Sequence, residues 1–541
     1  MWKIFSAKIL NGQSQTITSA ALVLALASLV SRLLGLVRDR MLAGQFGAGD
    51  TLDIYYAAFR APDMVYNLLI MGALSAGFIP VFVSLWRESQ DNSEAWHFFN
   101  SLLNLLLIGL LVVGALLFIF TPQLMRLITP GFSGEKLDLT IALTRIMFLS
   151  PLLLGLSSLW GGVLQSLKRF LVFSLTPIFY NLGIIFGIVF LVPRLGIYGL
   201  AWGVVLGAAA HMAIQLPTLF SLGFRYQPIL DWRNKGVARL ARLMVPRTLT
   251  LAVSQLNFMA ITVLASFLAA GSLAVFNLAY NIWTFPLGIL AASLATAAFP
   301  VLAKSAADKD DAGFTKTFSA TFRQILFLMV PASVLLVVLR AQIVRVILGV
   351  GNFDWNDTIL TINSLQYLTV GLFAEGLILL LVRGFFAFED TRTPFWLGLV
   401  SSIFRVAGAW FFALYMGVAG LALGYAAGSL VNLMLLWIFL EKKTGDLNFG
   451  EVFKSAVKIF AASFLAGIGA YWALRLLDNW LNTEVALGLF AQGLLAGIAG
   501  LLIYFLIAFI LRLPEMEAFC RSIKDRLPFK SVAPDKEIIQ D

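Results

Sequence analysis

Long apolar segments dominate this sequence and limit the folds it can adopt. A helix needs about 20 apolar residues to cross a hydrocarbon core of about 30 Å, and by this criterion the chain has 14 predicted spans. Of its 541 residues, 60% are hydrophobic and only 13% are charged, whereas soluble domains carry about 25% charged residues. The sequence therefore predicts an all-α integral membrane protein. The predicted spans lie near residues 19–37, 53–85, 98–121, 140–167, 172–193, 197–222, 241–268, 273–302, 318–348, 360–388, 395–416, 418–440, 453–476 and 485–512.

The loops on one side of these spans carry most of the lysines and arginines, and the segment after Pro514 adds more. The positive-inside rule then places both termini in the cytoplasm, which agrees with an even number of spans. The net charge of +10 follows from this topology, so it does not indicate nucleic acid as a partner. A single cysteine, Cys520, excludes an intramolecular disulfide and a multi-cysteine metal site. Neither a metal nor a cofactor is expected.

The chain contains an internal repeat. The pattern G-x-x-G-L-A-x-G occurs at 196–203 and again 221 residues later at 417–424, and three other matches have nearly the same offset. A repeat unit of six helices keeps its orientation, so the halves are parallel repeats. We expect two pseudo-symmetric six-helix lobes, residues 1–225 and 226–444, then two further helices at 445–513 and a cytoplasmic tail at 514–541. Two such lobes with a cleft between them are typical of alternating-access transporters.

Two arginines interrupt apolar spans of the first lobe. A charge at the bilayer centre costs about 2.5–3.5 kcal/mol on insertion scales, so such residues usually face a wet cavity or a partner. In the repeat, Arg32 corresponds to Gln255 and Arg60 to Thr284. Because the cations occur in one lobe only, they indicate a specialised site there.

Helical spacing groups these arginines with other polar residues. Arg32 and Asp39 share a face of the first span, and a second stripe follows the next span. Two such stripes predict a hydrated cavity, and arginine, which can bind phosphate bidentately, suits an anion. The alternative is that Arg32 and Arg60 pair with Asp39 and Asp63 and only brace the helices. The second stripe consists of Tyr56, Arg60, Asp63 and Asn67.

The second lobe offers fewer candidates. Glu375 and Arg405 can form a bracing ion pair or part of an ion-coupling site. No compact acidic cluster for sodium is evident in this lobe. The energy source is therefore open between the membrane potential and a monovalent cation.

Four segments resemble the MurJ (MviN) family of the multidrug/oligosaccharidyl-lipid/polysaccharide exporter superfamily: SRLLGLVRD, FGAGDTLDIYYAAFRAPD, GALSAGFIPVF and GFFAFEDTRTP. The resemblance implies a non-enzymatic flippase that moves lipid II, the undecaprenyl-diphosphate-linked peptidoglycan precursor, to the outer leaflet of the bacterial cytoplasmic membrane. It also implies that the two extra helices form a groove for the lipid tail. The partners expected are lipid II, membrane lipids and the cell-wall synthesis machinery.

The resemblance also assigns roles to individual residues. Arg32, Arg60 and Arg38 would bind the substrate in a cationic cavity. Arg38 and Asp39 match a pair at the outer gate, with Ser31 and Asp53 beside them. Gln255 and Asn281 would line the cavity. The chain departs from the family at four positions where the family carries charged residues, namely Tyr66, Asn67, Met71 and Asn281.

Four other functions remain open at this stage. The nearest is a flippase for another polyprenyl-linked oligosaccharide. A cation-coupled drug exporter would need carboxylates in the cavity, where this chain has arginines. A membrane-embedded glycan polymerase would need clustered acid/base groups near the membrane surface. A scaffold without transport would not bind or move a lipid-linked substrate.

Overall fold

The computed structural model describes residues 17–71, 77–88 and 91–526. These residues form helices joined by short loops and contain no strand. Short π-helical turns follow α2, α8 and α13, at Tyr66–Met71, Gly187–Leu191 and Leu287–Ala291. The α-helices are α1 Ile17–Phe46, α2 Asp50–Val65, α3 Ile79–Glu88, α4 Ser93–Ile119, α5 Thr121–Ile128, α6 Gly134–Met147, α7 Leu149–Ser166, α8 Phe170–Phe186, α9 Val192–Leu195, α10 Tyr198–Ala213, α11 Leu216–Ser221, α12 Lys235–Ser266, α13 Ser272–Pro286, α14 Ala292–Ala307, α15 Asp311–Val338, α16 Arg340–Ile347, α17 Trp355–Val370, α18 Leu372–Ala387, α19 Arg392–Met416, α20 Val418–Thr444, α21 Phe449–Asp478, α22 Ala486–Ile510 and α23 Pro514–Arg526.

Helices occupy all the predicted span positions as far as the described residues reach. Within those residues, ten helical segments are long and apolar enough to cross a membrane, or eleven when the pair interrupted at Gly371 counts as one span. The other three predicted positions hold α1 with its charged residues, the 16-residue α2, and α12, whose apolar part is Leu251–Ser266. The total of fourteen spans stays a prediction.

The described residues divide into two compact units. Unit 1 takes those within 1–285, 343–371 and 391–435, and unit 2 those within 286–342, 372–390 and 436–541. The predicted lobe boundaries at 225 and 444 stay predictions.

The repeated glycine motif makes the same kind of contact twice in unit 1. A Cβ atom on Gly203 in α10 would lie 2.8 Å from the Cα of Gly187, in the π-helical turn after α8. A Cβ on Gly424 in α20 would lie 2.0 Å from the backbone nitrogen of Ala409 in α19. Only glycine allows these helix backbones to approach so closely. The sequence repeat therefore corresponds to a repeated helix pair.

An aromatic cluster forms the core around α3, α4 and α7 in unit 1. Stacked and edge-to-face ring pairs contribute about 0.5–1.5 kcal/mol each beyond the burial of their area. The cluster explains why most buried residues of α4 lie in its first half. Its largest buried members are Phe78, Phe82, Phe98, Phe99, Trp160 and Phe224.

The linker between α11 and α12 lies along α4. Three buried side chains of α4, Asn100, Ser101 and Asn104, donate hydrogen bonds of 2.8–3.1 Å to backbone carbonyls between residues 225 and 231. Backbone carbonyls that lack a strand or helix partner are satisfied in this way. The linker is therefore fixed to the helix that it crosses.

Unit 2 contains α21, α22 and the final helix α23. Glu515 of α23 is buried, and its Oε1 accepts a hydrogen bond of 2.9 Å from Ser455 of α21. The same oxygen lies 3.4 Å from the Nε of Arg323 in α15. The buried carboxylate thus fixes α23 to the helices of this unit.

Candidate functional site

The guanidinium of Arg38 in α1 is held by side chains of two helices. Its Nε and Nη2 donate to Oδ1 of Asp39 over 3.0 and 2.8 Å, and its Nη1 donates to Oδ1 of Asn181 in α8 over 3.1 Å. The Asp39 side chain is 4% exposed. A buried carboxylate without a partner would be strongly destabilising, so Arg38 and Asp39 stabilise each other here.

The contacts of Asp39 and Asn181 extend this network to a third helix. The second oxygen of Asp39 accepts a hydrogen bond of 2.9 Å from Asn281 in α13. The amide of Asn181 also donates to the backbone and side-chain oxygens of Ser31, over 3.2 and 3.3 Å. A polar network therefore joins α1, α8 and α13. Asp39 pairs with Arg38 here, and not with Arg32 as the bracing alternative required.

Arg60 of α2 is held in a different way. Its Nε donates to the hydroxyl of Thr262 over 2.9 Å, its Nη2 donates to Oδ1 of Asn277 over 2.6 Å, and its Cζ lies 5.3 Å from the ring centre of Phe258. Both acceptors are oriented by their own helices: Thr262 donates to the Phe258 carbonyl, and Asn277 to that of Leu273. The guanidinium is therefore oriented before any ligand binds.

Arg60 forms no direct ion pair with a carboxylate within residues 17–71, 77–88 and 91–526. Asp63 lies three positions along the helix, and its charge attracts Arg60 at longer range. No direct ion pair or hydrogen bond joins the two side chains in this part of the chain. The bracing pair proposed from the sequence is therefore not formed. A half-buried cation with neutral partners can attract an anion that is not part of the protein.

Asp53, which the sequence placed beside a gate, caps the start of α13. Its carboxylate accepts hydrogen bonds from the backbone N–H groups of Gly271 and Ala274, over 2.8 and 2.9 Å. Lys136 lies 2.9 Å from the same carboxylate and 2.5 Å from that of Asp50. The side chain is 3% exposed, so all its interactions are with the protein. A negative charge at a helix N-terminus is stabilising.

Replacing Asp53 with alanine is expected to lower the free energy of unfolding by about 2 kcal/mol, because the helix cap and a buried ion pair are lost together. Thermal unfolding of the purified protein in detergent measures the change. Asp50→Ala is the matched control, since Asp50 contacts the same lysine from an exposed position and exposed ion pairs contribute about 0–1 kcal/mol. Equal melting temperatures for the two variants would contradict this role of Asp53.

Around Asp53 three segments of unit 1 meet, and we refer to residues 44–53, 266–274 and 346–357 as the junction. The Asn352 N–H donates to the Gly44 carbonyl over 2.8 Å, and the Ala48 N–H donates to Asp357 over 2.7 Å. Gly271 has φ +85°, and a Cβ there would lie 1.7 Å from the Ala48 carbonyl oxygen. These main-chain contacts hold the end of α1 firmly against the start of α17.

The other cavity candidates on α2 and its continuation have varied surroundings. Tyr56 is buried, and its hydroxyl has no hydrogen-bond partner among the described residues. The Tyr66 hydroxyl lies 3.0 Å from that of Ser158, while Asn67 donates to the Asp63 carbonyl of its own helix. Tyr56 and Arg60 thus lie one turn apart on α2, whereas the Asn67 side chain bonds to the backbone of the preceding turn.

Arg32 and Gln255 are half-buried, and their place in a cavity stays a prediction. Arg405 is buried in α19, where its Nη2 donates to Ser429 over 3.0 Å and its Cζ lies 4.1 Å from the ring centre of Tyr425. Glu375 belongs to unit 2 and Arg405 to unit 1, so their pairing also stays a prediction.

Sequence reasoning missed the neutral residues that hold the arginines. Asn181, Thr262 and Asn277 are uncharged polar residues in predicted spans, and each accepts a hydrogen bond from Arg38 or Arg60. The signal available was a polar side chain within a span, because such a group needs a hydrogen-bond partner in the membrane.

The model of the family described as lipid II flippase MurJ matches residues 42–491. The chain is 29% identical over 484 residues to a probable lipid II flippase MurJ of Vibrio cholerae serotype O1, covering 87% of this chain and 92% of that protein. It is 28% identical over 424 residues to the lipid II flippase MurJ of Burkholderia cenocepacia, covering 77% of this chain and 82% of that one.

Solved structures have the same fold. A lipid II flippase MurJ in an inward closed conformation superposes with a TM-score of 0.74 at 24% identity, covering 93% of this chain and 100% of that chain. An inward-facing multidrug resistance MATE transporter of the MOP superfamily gives a TM-score of 0.65 at 15% identity, covering 79% and 98%. With a family model that matches most of its length, this chain belongs to the lipid II flippase MurJ family.

Proposed function

We propose that this chain is a multi-pass protein of the bacterial cytoplasmic membrane that moves lipid II from the inner to the outer leaflet by alternating access. The observation that carries the proposal is the guanidinium of Arg60, which two neutral acceptors orient and which forms no direct ion pair with a carboxylate in the described residues. The names of the relatives support lipid II as the substrate. A diphosphate is the part of that lipid that such a cation would bind.

Arg38 and Arg60 differ in how strongly each could bind an additional anion. Arg38 shares its charge with Asp39, so a diphosphate would compete with a carboxylate already bound there. Arg60 has only neutral hydrogen-bond partners in the described residues, so a diphosphate would add a charge-assisted hydrogen bond without displacing a bound carboxylate. We therefore assign initial binding to Arg60, with Arg32 as a second cation. Arg38 and Asp39 are assigned to the conformational change.

The junction is proposed to face the periplasm. If both termini are cytoplasmic, α1 starts on the cytoplasmic side and its end at Phe46 lies on the opposite side. The headgroup would enter from the cytoplasm while the polyprenyl tail stays in lipid, where the exposed apolar side chains of α21 and α22 suit a tail groove. Release would then require the junction contacts to break.

Membrane potential can contribute to the outward step. It is negative inside, and it favours outward movement of net negative charge by about 2.3 kcal/mol per charge per 100 mV. A monovalent coupling cation stays a second proposal for the energy source. Association with the cell-wall synthesis machinery is likewise proposed only on the basis of the substrate.

Complementation tests the substrate. The gene is expected to restore growth to a bacterial strain depleted of its own lipid II flippase, and purified protein in vesicles should translocate fluorescent lipid II. Growth failure by a well-expressed protein that still translocates another polyprenyl-diphosphate glycan would support the runner-up function. Failure of both assays would leave the scaffold alternative.

A further inference from the structure

We infer that Arg383 of unit 2 forms a second phosphate-binding site. Its ligand is the diphosphate of the lipid-linked substrate, and here we rely on the proposed function. Arg383 lies in α18, a helix whose other residues are apolar apart from Glu375 near its start. A cation in such a helix needs a partner or a wet surface. Its surroundings supply both neutral partners and a polar surface.

Neutral oxygens of α14 hold the Arg383 guanidinium. Its Nη2 donates to the hydroxyl of Thr296 over 2.8 Å, and its Nη1 lies 3.5 Å from the Ala292 carbonyl oxygen. Thr296 in turn donates to the Ala292 carbonyl over 2.6 Å, which fixes its hydroxyl as an acceptor. Within the described residues no carboxylate pairs with Arg383, so its positive charge remains available.

The exposed face of α14 beside Arg383 is small and polar. Five of its seven exposed residues are small or polar, one is a lysine, and one is a large aliphatic residue. The exposed residues of α19 are by contrast mostly large and apolar, as expected where a helix faces lipid, and include Trp396, Ile403, Phe404 and Trp410. Small hydroxyl residues next to a cation are typical of a surface that faces water. The exposed residues of α14 are Ser293, Thr296, Ala297, Pro300, Val301, Lys304 and Ala307.

The chemistry of this surface selects a phosphate oxyanion. The guanidinium retains its charge at physiological pH and presents its N–H groups in a fork that matches two phosphate oxygens. Lys304 adds a second positive charge on the same helix face, two turns from Thr296. Anionic phospholipids carry the same phosphate chemistry, so the test must separate them from the lipid-linked diphosphate.

Binding of lipid II to the purified full-length protein tests the site. Arg383→Gln is expected to raise the dissociation constant for lipid II about tenfold, as the loss of one charge-assisted hydrogen bond predicts. Arg383→Lys keeps the charge without the fork and should give a smaller increase. Phosphatidylglycerol in excess should displace lipid II poorly from the wild type. Arg475→Gln is the matched control, because this exposed unit 2 arginine also bonds a hydroxyl, that of Tyr471, and it should leave the constant unchanged.

The outcomes separate this inference from the proposed function when Arg60→Ala is measured alongside. Unchanged lipid II binding by both Arg383 variants, with weaker binding by Arg60→Ala, would overturn the site and leave the proposed function intact. Unchanged binding by all three variants would overturn both. A loss of phosphatidylglycerol binding alone in Arg383→Gln would also overturn the inference. Melting temperatures within about 2 °C of wild type would show that the variants are folded.

Discussion

Replacement of Arg60 by alanine is expected to abolish growth support and to reduce lipid II translocation in vesicles about 100-fold. The guanidinium is oriented by Thr262 and Asn277, so a diphosphate meets a cation that needs no rearrangement. Truncating one partner of a buried, hydrogen-bonded charge pair costs about 2–5 kcal/mol, and about 1.4 kcal/mol corresponds to a factor of ten. Initial rates of translocation with the purified variant measure the effect.

Two further variants control this experiment. Arg145→Ala removes a half-buried arginine that also lies over a phenylalanine ring, with its Cζ 5.2 Å from the ring centre of Phe118. Its hydrogen bond to the Phe118 carbonyl is exposed, so this variant should transport normally. Arg60→Lys keeps the charge and loses the planar fork, so an intermediate rate is expected. Wild-type transport by Arg60→Ala would remove this arginine from the mechanism.

A disulfide across the junction is expected to stop transport completely. A Cβ on Gly44 would lie 3.0 Å from the Cγ1 of Val350, which is close enough for paired cysteines to meet the geometry of a disulfide. The double substitution Gly44→Cys and Val350→Cys, made in a Cys520→Ser background, would then fix α1 to the segment before α17. Because alternating access requires this end to open, the oxidised protein should bind lipid II but fail to translocate it.

Reduction and single substitutions provide the controls. Dithiothreitol should restore translocation by the double variant, and each single-cysteine variant should be insensitive to oxidant. Mass spectrometry of peptides verifies that the bond has formed. Full translocation by a fully cross-linked protein would show that the junction stays closed throughout the transport cycle.

The helical positions and the polar stripes followed from the sequence because they depend on local spacing. Apolar length located the helices, and the positions of Arg32, Asp39 and Arg60 along α1 and α2 followed from helical periodicity. The repeated glycine pattern was visible in the sequence, and in the structure Gly203 and Gly424 allow close helix packing. Each of these features can be predicted from the residues of a single segment.

The partners of the charged residues did not follow from the sequence, because they come from distant segments. Adjacent residues in a helix point in different directions, so the sequence did not predict that Arg38 and Asp39 would form an ion pair with each other. The long arginine side chain nevertheless folds back onto its neighbour. Asn277 lies 217 positions from Arg60, and Asp53 caps a helix that begins more than 200 residues later. Tertiary packing decides such contacts. The distinction between Arg38, which forms a direct ion pair, and Arg60, whose hydrogen-bond partners are neutral, therefore required the structure.

Native mass spectrometry of the purified protein tests most directly whether Arg60 attracts a lipid-borne diphosphate. The wild type is expected to retain a polyprenyl-diphosphate lipid and to bind added lipid II, while binding the uncharged polyprenol at least tenfold more weakly. Arg60→Ala should lose the preference for the diphosphate, and Arg145→Ala should keep it. Equal binding of lipid II and polyprenol by the wild type, or an unchanged preference in Arg60→Ala, would contradict the account.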